Sequence, residues 1–421
     1  MVATVGRRSE LAYRPRHMAP PPPPKHLRRP DPLRQLRPLR PLAAAVALVT
    51  VTAVAALVVV DRPMASRSDG TAPAPLVPVA AAGAVDPRCV DEASVSTRAG
   101  LVLVVGLPGV TRADEPPVDL LAEVGVGGVM LRDDNLTGPR QAAALVTGLR
   151  ARLGSHLLVA LDEEGGRVTS MRALGHVTPS ARRLGRAGAD AASEAGADLG
   201  EAAHDIGVDW VFAPVLDLDD GPASGVIGDR SFGDDPDDVA EVADAFADGL
   251  HDAGVAVALK HFPGHGAADH DPHASASVDD RSLATLLRRD VRPFDALIEA
   301  GAEAVMVGHV TYPNVWGDVP ASLSSGAYRL LRERGFDGVA ITDALGMGAV
   351  YNRSGFDQAP TLAIAAGADA VLVNQGDRVL ELRDGLVAAV TSGRLDEARL
   401  NQAVARMLVL RGQPAAGVLC A

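Results

Sequence analysis

Cysteine is almost missing from this chain: Cys89 and Cys420 are the only two in 421 residues. Neither closely follows the long apolar run near the N-terminus, so a lipid-anchored cysteine has no support. Aromatic residues make up only 3%. The two tryptophans, Trp210 and Trp316, stand too far apart to form a sugar-stacking platform, and Trp210, inside an apolar run, reads as core. Basic residues are in deficit, 40 Lys and Arg against 53 Asp and Glu, for a formal charge of −13. Ten of the basic residues and only two acidic ones fall within residues 1–41, so the remainder is more acidic than the total by about eight charges. A nucleic-acid partner needs a basic face, and in the body of this chain acidic residues outnumber basic ones, so no nucleic-acid partner is expected.

What is present favours a large folded region, since 47% of residues are hydrophobic and 22% charged. Residues 1–41, with five prolines at Pro20 to Pro24, read as a disordered, basic cytoplasmic arm. Residues 42–60, LAAAVALVTVTAVAALVVV, are uncharged and long enough for a transmembrane helix. Arg34, Arg37 and Arg40 precede the run and Asp61 follows it, which puts the N-terminus inside and the rest of the chain outside the cell membrane. A cleaved signal peptide, giving a secreted protein, is the alternative. Residues 61–88, rich in Ala and Pro, read as a tether to a catalytic region at 89–421. Cys89 and Cys420 sit at the ends of that region, and outside the cell an intrachain disulfide between them is one expectation and two inert thiols the other.

Six times beyond Cys89 a glycine precedes a short apolar run, at Gly125, Gly207, Gly254, Gly301, Gly335 and Gly367. Glycine ends a helix in a left-handed conformation, and the run after it suits a strand buried on both faces. GLVLVVGL near Leu101 and LLVALD ending at Asp162 bring the strands to eight. Helix starts are expected at Asp235-Pro236 and at Asp280. Eight helix-strand units predict an α/β fold, a (β/α)8 TIM-type barrel, with a doubly wound open sheet as the rival. Asp162, Asp217, Lys260, His309, Asp343 and Asn374 each close an apolar run, and a barrel brings such strand ends to one mouth.

The stretch KHFPGHGAADHDPH, Lys260 to His273, holds four histidines. Pro263 and the glycines forbid the helical spacing of a zinc site, which leaves acid/base chemistry and a structural turn as the two readings of the residues. Histidine titrates near neutrality, and Asp271, two residues before His273, suits the orientation of its ring. Gly and Ala around them suit a loop that closes over substrate.

From about residue 95 to 412 the chain resembles a glycoside hydrolase family 3 enzyme of the single-domain β-N-acetylglucosaminidase type, the group of peptidoglycan-recycling hexosaminidases. The motifs are DEEGGRV at Asp162, FAPVLD at Phe212, IGDRSFGDDP at Ile227, KHFPGHG at Lys260 with Asp271-Pro272-His273 beyond it, and ITDALGM at Ile341. The resemblance implies that Asp343 is the nucleophile, His273 the general acid/base and Asp271 its partner, while Asp162, Arg230, Lys260 and His261 hold the sugar. It also implies a GlcNAc-containing muropeptide or disaccharide as substrate and a retaining double displacement through a glycosyl-aspartate, with no metal or organic cofactor.

Two positions depart from that pattern. Ser170 stands where an arginine commonly lies eight residues after the first motif's aspartate, with Arg172 as a candidate substitute, and Pro272 stands between Asp271 and His273. Glu163 and Glu164 are expected to hold their loop, Asp217 and Asp229 to brace the mouth, and His265 and His270 to serve loop structure. Rival functions are a phosphorylase, with phosphate in place of water, a β-glucosidase, and an inactive tethered carbohydrate-binding protein.

Overall fold

The computed structural model describes residues 87–266, 268, 277–412 and 419. The basic arm, the apolar run 42–60, most of the tether, His270, Asp271, Pro272, His273 and Cys420 lie outside the described residues, and with Cys420 so does the expected disulfide. Among the described residues no helix is long and apolar enough to cross a membrane.

Eight parallel strands form the core of the fold: β1 (Leu103–Gly106), β2 (Gly128–Leu131), β3 (Leu158–Leu161), β4 (Trp210–Val211), β5 (Ala256–Phe262), β6 (Ala304–Val307), β7 (Val339–Thr342) and β8 (Val371–Val373). Their order in space is β8-β1-β2-β3-β4-β5-β6-β7. β8 pairs with β1, and a bridge between Ile341 and Ala370 joins β7 to β8, so the sheet curls into a ring rather than an open sheet. All six recurring glycines have positive φ; at Gly125 (φ 68°, ψ 53°) the amide donates to Leu121 O and ends the helix Val118–Val124 in a conformation that a Cβ would strain.

Side chains alternate along each strand between two apolar layers. Val159 and Leu161 of β3 face the surrounding helices, whereas Leu158 and Ala160 face the barrel axis. On that axis Trp210 packs edge-on to Phe212, centroids 4.8 Å apart, in room left by the small side chains Ala160, Ala256, Ala258 and Ala304. Met407 and Leu410, from the helix Glu397–Leu410, join the inner layer at its lower end. That helix also receives the first one, Pro87–Glu92, with Asn401 donating to Asp91 at 2.7 Å.

Asp235 caps the helix Pro236–Asp252, its carboxylate accepting the amides of Asp237 and Asp238, an arrangement that contributes about 1 kcal/mol. The expected start at Asp280 is corrected: the helix Leu283–Arg288 is capped by Ser282, whose hydroxyl accepts the Thr285 amide. Serine supplies the capping oxygen two residues closer to the helix.

Candidate active site

The period-two alternation dictates what faces the mouth. Inward residues Leu158 and Ala160 lead to Asp162, Ala256 and Ala258 to Lys260, Val339 and Ile341 to Asp343, Ala370 and Leu372 to Asn374, and Met130 to Arg132. All five polar side chains line one cavity of 240 Å³, together with Glu164, Arg230 and His261. A register irregularity between Lys260 and Phe262 accompanies the presence of both Lys260 and His261 in that lining.

Charge in the cavity is paired at close range. Lys260 Nζ lies 3.0 Å from Asp162 Oδ1 and 2.6 Å from Glu164 Oε1. Arg230 grips Glu164 with two parallel bonds, Nε to Oε2 at 2.6 Å and Nη2 to Oε1 at 2.8 Å, the bidentate geometry that makes such pairs strong. Burial alone would raise the Glu164 carboxyl, but the Arg230 and Lys260 cations outweigh burial and hold it far below the usual carboxylate range. Burial likewise favours a neutral Lys260, and the Asp162 and Glu164 carboxylates reverse this and raise it above the ordinary lysine value.

His261 is set by a fully buried acid. Asp217 Oδ2 lies 2.6 Å from its Nδ1, while Asp217 Oδ1 accepts the amides of His261 and His265. Burial pushes this carboxyl up, and His261 beside it brings it below the aspartate norm. An anionic Asp217 calls for a proton on Nδ1, which turns Nε2 toward Arg230 Nη2 at 3.3 Å. His265 itself is driven toward neutrality by burial. The Tyr312 hydroxyl donates to Gly264 O, and Ser277–Val278 pairs with Val310–Thr311.

Asp343 follows β7 directly. Its amide donates to Val307 O at 3.0 Å and its Oδ1 accepts the Ala344 amide at 2.7 Å. Fully buried His309 contacts Ser322 Oγ through Nδ1 at 2.7 Å and Ala344 O through Nε2 at 3.0 Å. It is not among the cavity-lining residues and instead holds the turn that carries Asp343.

Five of the seven site residues singled out in the sequence, Asp162, Arg230, Lys260, His261 and Asp343, thus meet in one cavity; Asp271 and His273 are not described. Glu164 corrects an expectation, because it faces the cavity and ties two cations there, while Glu163 holds the loop by accepting the Ser170 and Met171 amides. Burial raises the Glu163 carboxyl. Arg172 is a second correction: it is exposed on the turn Met171–Leu174 and does not line the cavity. Asp229 braces by pairing with Arg167 at 3.3 Å. Trp316 packs against Tyr312, outside the cavity. Arg132 escaped the sequence reading altogether, although counting alternate residues from Met130 identifies it.

Residues 98–410 match the glycosyl hydrolase family 3 N terminal domain. A β-hexosaminidase of Xylella fastidiosa (strain M23) is 39% identical over 308 residues, covering 71% of this chain and 90% of that one. The β-hexosaminidase LpqI of Mycobacterium tuberculosis is 37% identical, covering 74% and 81% respectively. Among solved structures, a glycoside hydrolase family 3 β-N-acetylglucosaminidase from Paenibacillus sp. str. FPU-7 superposes with a TM-score of 0.73 at 36% identity. The match covers 77% of this chain and 63% of the Paenibacillus enzyme.

Proposed function

The chain belongs to glycosyl hydrolase family 3, and on that premise we propose that it is a retaining β-N-acetylhexosaminidase that removes non-reducing terminal GlcNAc from cell-wall (GlcNAc-MurNAc) fragments. The observation that carries this reading is the convergence of Asp343 with Asp162, Arg230, Lys260 and His261 on one cavity at the strand ends. In that lining Glu164 is bound to Arg230 and Lys260 and Asp162 to Lys260, and Asp343 Oδ1 accepts the Ala344 amide. A main-chain amide fixes a carboxylate in direction, which suits a nucleophile.

In the proposed sequence, the buried polar groups take the sugar hydroxyls and Asp343 attacks the anomeric carbon as His273 protonates the leaving oxygen. Water then attacks the glycosyl-aspartate, with His273 as base and Asp271 orienting the imidazole. The same proposal puts residues 42–60 in the membrane with the barrel outside, on the strength of the uncharged run and its basic flank, and pairs Cys89 with Cys420.

A 2-fluoro sugar that leaves well but deglycosylates slowly tests the covalent step. Mass spectrometry of the digested protein is expected to find the sugar on Asp343, and Asp343→Asn is expected to lose at least about 1,000-fold in kcat on 4-nitrophenyl β-GlcNAc. A label on Asp162 or Glu164 would overturn the assignment.

A further inference from the structure

Three cationic side chains line the cavity, and two of them are committed inside the protein. Arg230 is spent on Glu164, and Lys260 on Glu164 and Asp162. Among the described residues Arg132 has no ion-pair partner, and its guanidinium makes no hydrogen bond there. Its main chain is extended (φ −139°, ψ −176°), so the alternation that points Met130 at the barrel axis continues through it.

The backbone beneath Arg132 is fastened on several sides. Asn135 Oδ1 accepts the Arg132 amide at 2.8 Å, the Asn135 side chain donates to Leu107 O and Val110 O, and Asp134 accepts the Gly109 amide. The turn Asp133–Asn135 packs against the turn Met171–Leu174, immediately beyond Ser170. The main chain that carries Arg132 is therefore held at a fixed place on the cavity wall, beside the segment where this sequence lacks an arginine, and its guanidinium reaches the cavity from there. Lys260, His261 and Glu164 are buried, whereas Arg132 is exposed, which sets it at the rim.

We propose that Arg132 is a specificity-determining residue that binds an anionic group, a carboxylate on the leaving group of the substrate. This rests on the hydrolase reading above. A terminal sugar seated on the buried polar groups, with its anomeric carbon at Asp343, leaves only the open side of the cavity for the rest of the molecule. An uncommitted guanidinium at that rim finds its strongest partner in a carboxylate, which it can grip with two parallel bonds. Asp133 and Asp134 are exposed next to it in the chain, so attraction at long range is weak and recognition works by contact.

The test uses two disaccharides with the same leaving oxygen, GlcNAc-β-1,4-MurNAc and the methyl ester of its lactyl carboxylate. With the full chain, the kcat/KM ratio of acid to ester is expected to be about tenfold, the scale of one charge-assisted contact. It should fall to about one in Arg132→Gln and partly recover in Arg132→Lys. A ratio near one in the wild type, or one unchanged by Arg132→Gln, overturns the proposal. So does an equal loss on both substrates, which would make Arg132 a general sugar ligand. Calorimetric binding of both disaccharides to Asp343→Asn, with and without Arg132→Gln, separates the two readings: the acid should bind more tightly only when Arg132 is present. Equal affinities sink the anion proposal whether or not hydrolysis is observed, and absent hydrolysis with the affinity difference intact sinks only the activity reading.

Discussion

The two ends of the barrel both surround a buried carboxylate with cations, yet the clusters differ in where their remaining bonds go. At the mouth Glu164 takes Arg230 and Lys260, and Lys260 extends to Asp162; all four side chains border the cavity. At the floor Asp369, fully buried, receives Arg332 at 2.5 Å, Arg399 at 2.6 Å and Arg406 at 3.3 Å, with the Ala340 amide at 3.0 Å. Arg332 spends other donors on Phe336 O and Gly338 O, and Arg399 on Ile364 O and Ala368 O. Bonds at the floor end on the protein's own backbone and tie the starts of β7 and β8 to two helices. The same ion chemistry therefore fastens the chain at one end and equips a ligand cavity at the other, as expected where strand C-termini carry the site and N-termini carry stability.

Exchanging one atom at each end would show whether that division is real, and the larger effect is expected at the floor. Asp369→Asn leaves three guanidiniums around a neutral amide, a change that costs about 3–5 kcal/mol and lowers Tm by roughly 6–20 °C. Turnover of the fraction still folded, measured at 20 °C on 4-nitrophenyl β-GlcNAc, is expected to stay within about twofold. A loss of kcat at unchanged Tm would erase the distinction between the two ends.

The matching change at the mouth, Glu164→Gln, frees Arg230 and Lys260 to shift, and a displacement of about 1 Å in substrate-holding groups lowers kcat/KM by about 100-fold. Its stability effect carries a sign that can be checked. Glu164 lies below its ordinary value near 4.5 in the folded chain, so its contribution is complete above that pH and is lost on acidification toward the folded value. Asp217 acts in the same direction below its ordinary 3.8. Wild type should therefore lose more Tm than Glu164→Gln between pH 6 and pH 3, narrowing the gap between them. A gap that widens on acidification would show that the cations do not hold Glu164 ionised.

These two ends were not equally legible in the sequence. The mouth announces itself because a polar residue closing an apolar run breaks a pattern, as Asp162, Lys260 and Asp343 do. The glycine repeat announces the strands because only a left-handed helix end requires that residue. Asp369 was hidden, since one aspartate beside a strand start looks like a solvated loop and its three arginines are 30 or more residues away along the chain. Glu164 was misjudged for a related reason: beside Glu163 it reads as one of a pair, and only the folded chain shows that Glu163 takes main-chain amides while Glu164 faces the cavity. The stretch opening at Lys260 mixes both cases, with Lys260 and His261 in the lining and His265 bonded through its main chain to Asp217.

Arg172 supplies the smallest change and the sharpest control on the mouth. From sequence it was the candidate replacement for the arginine that Ser170 displaces, but it is exposed on the turn beyond the cavity, whereas Ser170 is buried with its Oγ on Asp162 O at 2.5 Å and its amide on Glu163. Ser170 thus works by fixing the backbone under Asp162, a task that a long cationic side chain in that buried position would not perform. Arg172→Ala removes an exposed charge with no ion-pair partner among the described residues, and both kcat/KM on 4-nitrophenyl β-GlcNAc and Tm are expected to stay within about twofold and 2 °C of wild type. A tenfold rise in KM would mean that the turn Met171–Leu174 swings over bound sugar, and the grip on that side would then belong to Arg172 rather than to the second strand.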